Sequence, residues 1–241
     1  MLQSKLPYLW AKFDMKALTL ILGLSLLILV GCKEGKVEKA SMDATDPPAK
    51  SLLEQLADKH GFENWKDVNT IRFTFNVDRD TIHSERSWIW DVRENRVTQI
   101  SASDTISYLR SEIDSLVVRT DGAFINDKYW LLAPYQWVWD QNSFTCDYQQ
   151  SATAPISGEP MAKLTIVYGE EGGYTPGDAY DFYLDQDSVV REWVFRRGNQ
   201  PEPSVTTTWE GYQTNNGLLL STSHLNAERT YEISFTGISV E

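Results

Sequence analysis

The feature that most restricts this chain's fold is a hydrophobic period of two that sets in near residue 70. Ile71, Phe73, Phe75 and Val77 alternate there with Arg72, Thr74, Asn76 and Asp78. Successive strand side chains point to opposite faces, so this pattern predicts a strand with one buried and one wet face. Trp88 and Trp90 share a face, with Asp91 on the other. The same alternation recurs at Tyr180, Phe182 and Leu184, at Trp193 and Phe195, at Val205, Thr207 and Trp209, and at Tyr231, Ile233 and Phe235. Turn formers separate the runs: Glu171-Gly172-Gly173, Pro176-Gly177, Asp185-Gln186-Asp187-Ser188, Arg197-Gly198-Asn199 and Asn215-Asn216-Gly217. The last contains the Asn-Gly pair favoured where a hairpin needs positive φ at both central residues. Connections this short join antiparallel strands, because a parallel crossover takes a dozen residues or more. The chain therefore reads as mainly β (α+β), a curved antiparallel meander.

Two helices are expected beside it. Ser51-Leu52-Leu53-Glu54 has the form of a capping box, and a short helix follows over about 51–60. Leu52, Leu56 and His60 share one face of it, and Gly61 is its stop. Lys128 to Asp140 (KYWLLAPYQWVWD) is dense in aromatics and carries Pro134, which predicts a short, Pro-broken helix lying across the sheet. Residues 145–160 read as a long loop. No internal repeat or compositional break divides residues 51–241, so a single β-rich domain is expected there.

The N-terminus is read as an address. Lys16 precedes an apolar run, Ala17–Val30, too short for the ~20 residues of a spanning helix but suited to a signal peptide. The run ends in Leu29-Val30-Gly31-Cys32, which resembles a bacterial lipobox. That resemblance implies cleavage after Gly31 and a diacylglyceryl group on the Cys32 sulfur. Trp10, Phe13 and Asp14 are foreign to a signal peptide, so translation is expected to start at Met15. Residues 1–31 are then the signal peptide, and 32–50 a lipidated N-terminus and flexible tether with Pro47-Pro48 near its end. The expected location is the bacterial cell envelope, in the outer membrane on either its periplasmic or its surface face, with acyl chains on Cys32 as the membrane contact.

Charge and cysteine usage exclude several functions. The formal net charge of −12 argues against nucleic acid, whose phosphates need a basic face. It also argues against electrostatic attachment to anionic lipid, leaving the acyl chains to hold the protein at the membrane. Two cysteines rule out a disulfide scaffold or a four-thiolate zinc site. Cys146 paired with His60, His83 or His224 is the one conceivable nucleophile, but no local signature surrounds it. His60 falls on a helix face, His83 in a polar turn and His224 late in a strand, none with a partner at ligand spacing. Asp178, Asp181, Asp185 and Asp187 lack the register of a calcium loop, and Asp181 and Asp185 read as a solvated strand face. Gly158 and Gly169 flank no nucleophile elbow, and no glycine-rich phosphate loop is present. No catalytic residue, metal or cofactor is assigned, and the chain reads as a non-enzyme.

What remains is the aromatic load. The stretches DAYDFYLDQDSVVREWVF and TTTWEGYQTNNGLLLSTSHL, with the lipobox, the tether, one helix before a long meander and a mid-chain helical break, resemble the lipoprotein-localisation (Lol) carrier and receptor proteins. That resemblance implies an incomplete β-barrel whose mouth is closed by helices and which holds acyl chains. The family's functional arginine has three possible counterparts, Arg72, Arg86 and Arg191. The expected function is a membrane-anchored lipoprotein binding a lipid or acylated partner in a half-barrel cavity lined by Trp88, Trp90, Trp130, Trp137 and Trp139. The alternative is an interaction module of an envelope complex, its tryptophans filling the core. A monomer is expected.

Overall fold

The computed structural model describes residues 49–241. The signal peptide, the Leu29, Val30 and Gly31 cleavage motif, Cys32 and the tether up to residue 48 lie outside the described residues.

The first helix, α1 (Leu52–Asp58), begins at the expected capping box: the Ser51 N–H donates to Glu54 Oε2 (2.7 Å) and the Glu54 N–H to Ser51 Oγ (3.3 Å). Its buried face is Leu53, Leu56 and Ala57 rather than the one expected, and Leu52 is exposed. Leu53, Leu56, Ala57 and His60 follow the i, i+3, i+4, i+7 spacing of a helix face more closely than Leu52, Leu56 and His60 do. Gly61 closes the helix at φ +86°, and a Cβ there would sit 2.0 Å from the Gly217 carbonyl oxygen. The end of α1 thus meets the Asn216-Gly217 turn backbone to backbone, and only glycine permits the approach.

Four strands follow a 3-10 turn (Phe62–Asp67): β1 (Thr70–Arg79), β2 (Ile82–Asp91), β3 (Arg96–Ile100) and β4 (Thr105–Leu109). After a long helix, α2 (Val118–Trp139), come β5 (Phe144–Thr153), β6 (Pro160–Tyr168), β7 (Ala179–Leu184), β8 (Val190–Arg196) and β9 (Val205–Thr208). The chain ends with β10 (Gln213–Asn215), β11 (Leu218–Leu220), β12 (Ser223–Leu225) and β13 (Tyr231–Val240). One sheet has the order β12-β13-β1-β2-β3-β4, another β5-β6-β7-β8-β9, and β10 and β11 form the Asn-Gly hairpin. Every pairing is antiparallel. The meander holds within each sheet, but β13 returns to pair with β1 and so brings the C-terminus beside the start of the domain.

The two large sheets meet at a single bridge. The Glu210 N–H donates to the Ser223 carbonyl (2.8 Å), the Ser223 N–H to that of Glu210 (3.2 Å), and the Leu225 N–H to Thr208 Oγ1 (3.1 Å). That joint runs β9 into β12 and leaves β4 and β5 as open edges. The result is an incomplete barrel, and α2 links its two free edges.

Two elements differ from expectation. The mid-chain helix is not short: it starts ten residues before Lys128 and carries its non-helical residue at Leu132 (φ −122°, ψ 18°), two before Pro134. Proline lacks the N–H for the i−4 bond, and its ring crowds that carbonyl. Val118, Thr120 and Gly122 hide the first turns because they are weak helix formers; burial of Phe124, Asp127 and Lys128 selects the helix instead. Residues 145–160 are a loop only over 154–159; residues 145–153 belong to β5, which pairs with β6 in a hairpin. β5 is an edge strand with few buried side chains, so it shows no hydrophobic alternation.

Candidate functional site

Side chains of α2 fill the concave side of the barrel unevenly. Near its C-terminal end Trp137 stacks edge-on against Phe182 of β7 (5.0 Å), and Tyr135 and Trp139 pack on Trp65 (5.7 and 4.5 Å). Near its N-terminal end Phe124 is buried against Trp88 and Trp90, while Gly122, Ile125 and the exposed Asn126, on another face of the helix, line a space they do not fill. A cavity of about 560 Å³ is left between this half of α2 and the two sheets. Phe75, Val77, Tyr231 and Ile233 wall it from β1 and β13, Tyr180, Trp193, Phe195 and Val205 from β7–β9, and Tyr129 and Trp130 from the helix. Tyr174 and Thr175, from the loop after β6, complete the rim. The volume lies within the ~300–1,000 Å³ typical of small-molecule sites, and the lining is mostly apolar.

The polar atoms at this cavity are few. Tyr129 Oη and Trp193 Nε1 are buried without a hydrogen-bond partner, and burial holds the Tyr129 phenol well above its usual pKa. Arg86 borders the cavity but is spent on Asp127: Nε donates to Oδ2 (2.7 Å) and Nη2 to Oδ1 (2.6 Å), while Trp88 Nε1 donates to Oδ2 (2.8 Å). The wall therefore offers hydrocarbon and aromatic surface with hardly any free charge.

Of the five tryptophans expected at a ligand, only Trp130 borders this cavity. It stands 4.2 Å from Trp193, centroid to centroid. Trp88 and Trp90 pack on Phe124, and Trp137 is fully buried against Phe182 and His60. Trp139 lies against Trp65 and Trp90. Ile125 escapes sequence reasoning because it lies in a segment that does not read as helix; Tyr129 lies within the predicted helix, but nothing in the sequence sets it apart from the aromatics around it. Phe75, Val77, Tyr180, Trp193, Phe195, Tyr231 and Ile233 are legible as inward-facing strand residues, without any sign that a void lies against them.

The candidate chemical groups sit elsewhere. Cys146 is exposed on β5. His60 is buried: Nδ1 bonds to the Leu56 carbonyl (3.1 Å), the Val190 N–H donates to Nε2 (3.3 Å), and burial pushes the imidazole down to about 4. His224 is buried against Trp130 and Trp209, and burial pushes it to about 3. His83 lies on β2 rather than in a turn, and antiparallel pairing supplies a partner that sequence spacing hid, Asp78 across the hairpin (2.8 Å). Asp181 is buried, not solvated. It accepts from Arg196 Nε (3.0 Å) and Thr165 Oγ1 (2.6 Å), because that face of β7 is covered by side chains of β6 and β8. Asp178 accepts from the Gly198 N–H (2.7 Å), and Asp185 from the N–H groups of Asp187 and Val189. Among the described residues no cluster of three or more His, Cys, Asp or Glu side chains is placed to hold a metal ion.

No protein-family model and no curated protein matches the chain. Among solved structures it is similar to a LolA superfamily protein from Nitrosomonas europaea, at 9% identity over 80% of this chain and 94% of that one, with a TM-score of 0.48. It is similar to a DUF1329 family protein from Desulfovibrio piger, with the same identity and coverages and a TM-score of 0.44. A putative outer membrane lipoprotein-sorting protein domain from Vibrio parahaemolyticus is similar at 11% identity over 77% of this chain and 93% of that one, with a TM-score of 0.41. The likeness is one of fold.

Proposed function

We propose that this protein is an envelope lipoprotein, anchored through acyl chains on Cys32, that binds a lipid or the acyl chain of a lipidated partner inside its incomplete barrel. The cavity between Tyr129, Trp130 and the strand aromatics carries this reading. Such a void stays open against the general tendency of interiors to pack densely, and its walls suit hydrocarbon. Each buried methylene contributes about 0.8 kcal/mol, so even one chain reaches useful affinity.

The test is native mass spectrometry and solvent extraction of the mature chain from residue 32, carrying Cys32→Ser so that no acyl group is added, purified without detergent. A retained lipid-sized mass, lost on Ile125→Trp with folding intact, is the expected result. A ligand-free protein that also fails to bind an uncharged apolar dye would overturn the reading in favour of an interaction module.

A further inference from the structure

A second, smaller pocket of about 330 Å³ adjoins the cavity, and Ile125, Tyr129, Tyr174 and Thr175 border both. Its character is different. Lys128, Arg110, Gln136, Asp140 and Glu171 line it. Arg110 is taken by Asp121 (Nε to Oδ1, 2.8 Å), and Asp140 accepts from the Tyr168 hydroxyl (3.3 Å).

Lys128 is the anomaly. It is only 5% exposed, and its ammonium has no hydrogen-bonding or ion-pair partner among the described residues. Its neighbours are two indole faces, Trp90 at 5.2 Å and Trp139 at 5.3 Å. Cation–π contact offsets only part of the cost of burying a charge. Burial, with the Arg110 charge adding to it, pushes the amine down to about 8, so it is still mostly protonated at neutral pH. The Gln136 side-chain oxygen is buried beside the same pocket without a partner, and the amide can turn to offer its N–H. An unpaired ammonium and an idle amide next to an apolar void are the two halves of an amphiphile site.

We infer that the ligand is a long-chain carboxylate, its hydrocarbon in the large cavity and its carboxylate seated against Lys128. This rests on the acyl-chain reading above. Asp140 and Glu171 also border the pocket and oppose any anion, a multiply charged head more than a single carboxylate, so Lys128 is matched to one negative charge at most. Tyr174 stands at the passage between the two spaces. Its hydroxyl donates to Asp121 Oδ2 (2.7 Å), and its loop carries Gly172, Gly173 and Gly177, all at positive φ.

The experiment is displacement of N-phenyl-1-naphthylamine, an uncharged dye, from the Cys32→Ser mature chain by palmitate and by hexadecanol. Palmitate is expected to compete at least about tenfold better, the scale of a charge-assisted hydrogen bond. Lys128→Met should remove that advantage while leaving dye and hexadecanol affinities unchanged. Shortening the fatty acid should weaken it about fourfold per methylene. Equal competition by palmitate and hexadecanol in the unaltered chain would overturn the carboxylate site and leave the acyl cavity standing. Failure of the dye to bind would overturn both. The unaltered-chain comparison stands even if Lys128→Met does not fold.

Discussion

The two halves of α2, on either side of the non-helical Leu132, have opposite fates. Beyond it, Tyr135 and Trp137 are fully buried, and Trp139 packs on Trp65. Before it, Gly122, Ile125 and Asn126 face a void that Tyr129 and Trp130 border. Both halves are packed between the same two sheets, and both carry tryptophan. Aromatic content alone therefore does not make a binding site. What differs is what stands beside the rings: Trp137 is enclosed by Phe182 and His60, whereas Trp130, although it meets Trp193, has Gly122 and Ile125 along the helix before it, which leave space unfilled.

The largest expected effect belongs to the filled half. Trp137→Ala deletes a fully buried ring wedged against Phe182 and His60, and should cost about 3–5 kcal/mol in a chemical denaturation curve. If Trp137→Ala and Trp130→Ala destabilise equally, the distinction between filled and hollow halves fails.

Lys128→Met is expected to act in the opposite direction. The folded-state pKa of about 8 lies below the ordinary lysine value of 10.5, so folding must hold a charge it disfavours. That penalty is fully present below pH 8 and fades as pH rises through 8 to 10.5, where the unfolded chain also loses its proton. The variant should therefore be more stable than the parent at neutral pH, by up to about 3 kcal/mol, and the gap should close by about pH 11. A gap that does not change with pH would assign the effect to packing. A gain in stability coupled to loss of carboxylate binding is the pattern expected of a residue kept for function.

Filling the void tests the hollow half directly. Gly122→Leu should weaken dye binding at least tenfold with only a small change in melting temperature. Gly122→Ala is the smallest effect. Its Cβ meets the Tyr174 ring at an ordinary 3.5 Å, and replacing a mid-helix glycine should stabilise the protein by roughly 0.5–1 kcal/mol.

Much of the frame is legible in the amino-acid sequence. The capping box at Ser51, the inward faces of β1, β7, β8 and β13, and the Asn216-Gly217 turn all follow from preferences spanning a few residues. β5 is not legible, because an edge strand wet on most of its surface shows no alternation. The first turns of α2 are hidden too, since Val118, Thr120 and Gly122 are poor helix formers and packing alone recruits them. His83 and Asp78 show the same limit: five residues apart in sequence, they meet only because β1 and β2 pair in one particular register.

By itself, then, the sequence determined the inward faces of β1, β7, β8, β9 and β13, the shared face of the two β2 tryptophans, and several of the turns, but not β3, β4, β5 or β6. Those properties are local, set by side-chain alternation and backbone dihedral preference. The tertiary structure alone decided that Trp137 packs solid while Trp130 borders a void, and that Lys128 is buried between two indoles beside it. A void is what remains after side chains from α2, β1, β7, β8, β9 and β13 have taken their space, and no single segment carries that difference.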